Sequence, residues 1–171
     1  MLSARTPFAL AVLVFVSQLF VSVAGAPLTR EVVSRESQVG PHAQCLTFNV
    51  SFNVVFVNET REGGWIGESD IKTQIQVLNN DYNATGIQFR LVKATKIKSK
   101  DWFENVYPGS PQEQVMKLLY NIGDASTLNV YTLTFNSTTA SLGTAAIPSA
   151  YYCNPKSDGV MIRHSTVTNG A

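Results

Sequence analysis

Two histidines, His42 and His164, are the whole imidazole content of the 171-residue sequence. Neither has a second His or a Cys at the spacing a zinc site needs, so no metal centre can be drawn from them. His164 follows an apolar run and is expected to be a solvated loop histidine. No Gly-x-Ser-x-Gly elbow is present, and "GDASTLN" lacks the glycine framework of a phosphate loop. Glu59, Glu62, Glu68 and Asp70 gather around a turn and a helix start, where capping and the helix dipole account for them without catalysis. The residues alone compose no complete active site.

Two cysteines, Cys45 and Cys153, remain. In an oxidising compartment they are candidates to pair, and closing so long a loop removes about 4–5 kcal/mol of unfolded-chain entropy. The alternative is pairing with thiols outside this sequence. Four sequons begin at Asn49, Asn58, Asn83 and Asn136. Asn49 falls inside a predicted strand and is the poorest glycan acceptor of the four, because a glycan needs solvent.

A formal charge of +1 and 44% hydrophobic residues suit one soluble globular domain and argue against a nucleic-acid footprint. Residues 1–25 read as a signal peptide: Arg5, an apolar core from Phe8 to Val23, then small residues around Gly25. A membrane anchor is the alternative, but the apolar core is near the short limit for spanning, so no stable anchor is expected. Residues 26–44 are polar and aperiodic, a flexible leader or propeptide remnant.

Regular structure is expected from residue 45 onward. Leu46 to Val57 alternates as a strand with Phe48, Val50, Phe52 and Val54 on one face. Ile71, Ile75, Leu78 and Tyr82 form a helical stripe capped at Ser69 or Gly67 and stopped at Gly86. "IQFRLV" is a strand with Ile87, Phe89 and Leu91 inward, and Lys93, Lys96, Lys98 and Lys100 read as a solvated edge guarding against aggregation. Ser110-Pro111-Gln112-Glu113 is a capping box opening a second helix, whose expected buried stripe is Val115, Leu118, Leu119 and Ile122, with Gly123 as its stop. "LNVYTLTF" is a central strand, "LGTAAIP" a short strand ending at Pro148, and Val160–Ile162 the last. The helical links imply parallel crossovers, and the short link at Asn136–Ser141 permits an antiparallel neighbour. The fold class is α/β (α+β), a twisted five-stranded mixed sheet with two helices.

The segments "VVFVNET", "GGWIGESDIKTQIQVLNNDYNATGIQFRLV", "DWFENV", "LNVYTLTF" and "LGTAAIPSAYYCNPKSDGVMI" together resemble pappalysin-type zinc metalloproteases of the metzincin group, in their fungal secreted branch. The resemblance runs from about Asn53 to Ile162 and implies a metzincin N-terminal subdomain at residues 45–171. In such proteins the next element is an active-site helix carrying H-E-x-x-H-x-x-G-x-x-H, whose histidines bind zinc and whose glutamate activates the bound water. The last strand, apolar on both faces, has nothing after Asn169 to cover it, so Ala171 is expected to be a cut edge. Zinc is thus implied for the intact family and not for these residues alone. A cysteine latch on the zinc is not assigned. The resemblance also implies protein or peptide substrates, paired along Leu142, Gly143, Thr144 and Ala145. Without it, that strand reads as an ordinary edge packed under a loop. A non-catalytic secreted protein that uses the sheet as a binding or decoy surface is the competing expectation.

Overall fold

The computed structural model describes residues 46–135 and 141–167. Leu46–Phe56 forms β1, an eleven-residue strand. Its alternating apolar residues lie between strands on both sides, because β1 pairs in parallel with both β2 (Ile87–Lys98) and β3 (Thr127–Leu133). β3 in turn pairs in parallel with β5 (Val160–Arg163), and β4 (Gly143–Ala145) pairs antiparallel with the outer side of β5. The strand order is β2-β1-β3-β5-β4. The expected antiparallel strand is therefore present, but its partner is β5 and not β3.

Three helices make the crossovers. α1 (Glu68–Tyr82) links β1 to β2, and α2 (Lys100–Asn105) with α3 (Pro111–Tyr120) links β2 to β3. Gly67 caps α1 with no side-chain hydrogen bond, and Glu68 and Asp70 supply the negative charge that its N-terminal dipole favours. A single 3-10 turn, Asn83–Thr85, then ends at Gly86 with φ of 75°, a left-handed stop that glycine adopts at no steric cost. The Ser110 hydroxyl accepts from the Glu113 amide at 3.2 Å, as a capping box requires. The Glu113 carboxylate reaches back one residue further than the motif, to the amide of Gly109.

Strand periodicity divides the interior into two cores. Val50, Phe52, Val54, Val130 and Ile162 share one cluster with Ile71, Ile75 and Leu78 of α1. Val55, Tyr131, Leu133 and Met161 share the other with Phe103, Val106 and Met116 from the α2–α3 side. Each such aliphatic side chain contributes roughly 1.5–3 kcal/mol on full burial.

Three expectations need correction. The last strand does not lack cover: Met161 and Ile162 are buried, one in each core, and Val167 packs in the cluster that holds Ile162. The stripe expected to bury α3 faces outward, with Val115, Leu118 and Leu119 exposed and Ile122 half-buried. α3 instead buries Met116 and Lys117. The cause is polar: the Lys117 ammonium donates to the Ser157 carbonyl at 2.9 Å and pairs with Glu113 at 2.8 Å, turning that flank of the helix inward. The helix also ends at Tyr120, before Gly123. Among the lysines, Lys93 and Lys98 are exposed on edge strand β2 as expected, but Lys100 opens α2. Lys96 is half-buried, its ammonium 4.7 Å from the centre of the Trp65 ring and bonded to the Ile66 carbonyl. Burial holds that ammonium below the ordinary lysine value, against the opposing pull of Glu68 and Asp70.

Candidate peptide-binding edge

β4 ends the sheet on one side, and its backbone groups divide between two directions. Arg163 donates its amide to the Leu142 carbonyl at 2.8 Å, and Ala146 donates to the Gly159 carbonyl at 3.2 Å. In an antiparallel ladder the bonded positions alternate, so Leu142, Thr144 and Ala146 address β5 while Gly143 and Ala145 address the free edge. The Ser141 hydroxyl donates to the Gly143 carbonyl at 2.9 Å, which occupies one of the outward acceptors. The Gly143 amide and both backbone groups of Ala145 are left on the open side. No side chain within Gly143–Ala145 is larger than threonine, so another extended backbone can approach closely. A Cβ on Gly143 would stand 3.0 Å from the Met161 carbonyl and 3.3 Å from Ile162, so glycine also permits the close fit of β4 on β5. Leu142 and Ile147 flank the strand as exposed apolar residues.

The chain after β4 is held by a polar clamp. α4 (Pro148–Tyr151) opens at Pro148, and a 3-10 turn at Pro155–Ser157 leads to Gly159. Gly159 has φ of 117°, and a Cβ there would meet the Asn129 carbonyl at 2.8 Å. Asn121, buried just past α3, donates from its side chain to the carbonyls of Lys156 at 3.0 Å and Asp158 at 2.9 Å. Its side-chain oxygen accepts from the Tyr131 hydroxyl at 2.7 Å, and its carbonyl accepts from the Lys156 ammonium at 2.9 Å. Burial pushes the Tyr131 phenol well above its ordinary value, so it stays a hydrogen-bond donor. Nothing in the sequence marked Lys117, Asn121, Tyr131 and Lys156 as a unit, since each pairs across turns or strands and no motif spans them.

His164 is not a solvated loop residue. It is half-buried, its ring 5.1 Å from that of Phe103, and its Nδ1 lies 3.3 Å from the Leu133 carbonyl. A carbonyl only accepts, so Nδ1 carries the proton. Burial holds the ring below the ordinary histidine value; the Leu133 contact opposes this, Arg163 and Arg61 add to it, and Glu62 opposes it. Among the carboxylates, Asp70 pairs with Arg61 at 2.8 Å, a partner the sequence did not single out. Among the described residues no three of His, Cys, Asp and Glu stand close enough to hold a metal ion, so a zinc ion does not fit the described residues.

The other candidate sites are scattered. Cys153 is an exposed free thiol, and Cys45 lies outside the described residues. Asn58 and Asn83 are exposed, Asn49 is half-buried in β1, and Asn136 lies outside the described residues. No helix of the described residues is long and apolar enough to cross a membrane.

No family model matches the chain. It is 32% identical over 130 residues to an extracellular metalloprotease of Trichophyton verrucosum, an overlap covering 73% of this chain and 44% of that protein. An extracellular metalloprotease of Arthroderma otae is 35% identical over 112 residues, covering 63% of this chain and 38% of its own length. The chain thus spans less than half the length of these curated relatives. Mature mirolysin of Tannerella forsythia, solved in complex with a cleaved peptide, superimposes with a TM-score of 0.53 at 20% identity, covering 74% of this chain and 55% of that one. Mirolysin in complex with a small compound gives a TM-score of 0.55 at 20% identity, covering 73% and 55%. The fold is the expected one, an α/β five-stranded mixed sheet with helices. Over the matched residues the chain is similar in sequence to extracellular metalloproteases and in fold to mirolysin.

Proposed function

We propose that this chain is the sheet-bearing, peptide-binding part of a secreted zinc metalloendopeptidase of the pappalysin type, in the fungal extracellular branch. The 32% identity over 130 residues to an extracellular metalloprotease carries the reading. Residues 1–25 direct secretion. β4 adds an extended peptide as a sixth strand, with the Gly143 and Ala145 amides donating to it and the Ala145 carbonyl accepting. Mirolysin's complex with a cleaved peptide supports a peptide as the ligand class.

His42 and His164 lie far apart in the sequence and so cannot supply H-E-x-x-H, and His164 is committed to Leu133 and Phe103. Metal-assisted hydrolysis in the intact kind of protein therefore draws on ligands other than these residues, and residues 1–171 alone bind peptide without cleaving it. The test titrates an extended, non-cleavable peptide into the isotopically labelled chain and follows its amides. Expected are shifts centred on Gly143 and Ala145 with slowed exchange of those two amides. Shifts confined to other strands, or none at saturating peptide, would overturn the edge. Stoichiometric zinc that survives dialysis, with chelator-sensitive proteolysis, would overturn the inactivity.

A further inference from the structure

The sequence offers four N-glycan acceptors and disfavours only Asn49, and the geometry of the three described ones is sharply different. We propose that Asn58 and Asn83 carry N-linked glycans and that Asn49 does not, an inference that rests on the secretion reading above. The Asn58 side-chain oxygen accepts from the Thr60 amide at 3.0 Å and from the Thr60 hydroxyl at 2.6 Å. A backbone N–H can only donate, so the oxygen of Asn58 must face Thr60 and its Nδ2 must face the other way. Asn58, Glu59 and Thr60 are all exposed, so the turn that holds the sequon faces solvent. At the second site, the Thr85 hydroxyl donates to the Tyr82 carbonyl at 2.7 Å and accepts from the Ile87 amide at 3.2 Å. The exposed Asn83 side chain stands outside that pair of bonds.

Asn49 differs in its burial and in that of its sequon serine. It is half-buried in a strand paired on both sides, between Arg90 and Thr127, and its oxygen accepts from the Arg90 guanidinium at 2.9 Å. The serine of its sequon, Ser51, is completely buried. The hydroxyl that the sequon requires is thus inside the folded sheet at Asn49, whereas Thr60 and Thr85 are exposed.

In the reaction the asparagine Nδ2 forms a bond to the anomeric carbon of a lipid-diphosphate-linked oligosaccharide. The bond from that carbon to the diphosphate oxygen breaks, the lipid diphosphate leaves, and Nδ2 gives up one proton. Placement gives the modification a consequence. Asn83 lies just before edge strand β2 and Asn58 just after β1, whereas β4 is three strands beyond β1, about 14 Å away at ~4.8 Å per strand. Both attachment points then lie on the lysine-bearing side of the sheet, away from β4.

The experiment translates the full chain with endoplasmic-reticulum microsomes in an Asn136→Gln background, once with its own leader and once behind an established cleavable signal. Expected are two glycans removed by peptide-N-glycosidase, one lost in Asn58→Gln or Thr60→Ala, one lost in Asn83→Gln, and no change in Asn49→Gln. A translocated chain bare at Asn58 or Asn83, or one modified at Asn49, would overturn the assignment. Modification only behind the borrowed signal would sink the secretion reading and leave this assignment standing.

Discussion

β2 closes one side of the sheet with twelve residues, and β4 closes the other with three that carry no charge. β2 has Lys93 and Lys98 exposed along it, and aromatic packing behind it: Phe89 meets Tyr82 edge-on at 5.2 Å and lies 6.2 Å from Phe48. β4 has glycine, threonine and alanine, with a polar clamp behind it. Charges on an edge strand repel a second strand, and small uncharged residues admit one. The difference teaches that one edge of this sheet carries charges that oppose pairing and the other carries none, and that the uncharged one depends on hydrogen bonds elsewhere for its position.

The largest effect should come from breaking that support. Asn121→Ala removes three side-chain hydrogen bonds and leaves the buried Tyr131 hydroxyl without its acceptor. A loss of about 2–4 kcal/mol is expected. Hydrogen exchange should show where it falls: amides of residues 143–146 and 158–163 accelerate, while those of β1 and β2 keep their protection relative to one another. Uniform acceleration across the sheet would mean that the clamp is no more than a piece of the global fold.

The matching change on the guarded side is Phe89→Ala. Phe89 is half-buried, so the expected cost is smaller, about 2 kcal/mol, and is read as a shift in urea midpoint. Peptide binding at β4 should be unaffected in the folded fraction. A variant that weakens peptide binding as strongly as Asn121→Ala would erase the distinction between the two sides.

How far this asymmetry could be read from sequence depends on the range of the forces involved. α1 was legible because Ile71, Ile75, Leu78 and Tyr82 keep helical spacing and the same residues are buried. α3 offered an equally regular stripe at Val115, Leu118, Leu119 and Ile122, and it misled. The orientation of α3 is set by Lys117 reaching Ser157, forty residues away, and no local period encodes such a bond. β4 was legible as a short strand of small residues, although it ends at Ala145 and Pro148 opens α4 instead; the pairing of a peptide with it is only what the resemblance implies. Its place outside β5 was not legible, because β5 comes later in the chain and inserts between β3 and β4. His164 was misplaced for a similar reason: Phe103, which covers it, comes from a different crossover.

A smaller effect is expected from acid. His164 follows directly on β5, the strand that carries β4, and its folded pKa is held below the ordinary 6.5. As pH falls, the unfolded chain takes up the proton first, so stability is fully present above the unfolded value and is lost as pH falls through the folded one. His164→Gln should remove part of the drop in urea midpoint between about pH 7.5 and about pH 5. An unchanged pH slope would show that the ring does not contribute to it.

The smallest effect on stability, and the sharpest on the comparison, is expected from Ala145→Pro. The amide of Ala145 points to the free edge, so proline there removes no bond between β4 and β5. The change in stability should stay below about 1 kcal/mol. A peptide adding to the edge would lose a donor and meet the proline ring, and its affinity should fall at least about tenfold, or roughly 1.4 kcal/mol. Titration of the same non-cleavable peptide against parent and variant measures this directly, with the melting midpoint as the control for folding. Equal affinity in a folded variant would mean that β4 is an ordinary edge and that the small residues at 143–145 serve only its packing on β5.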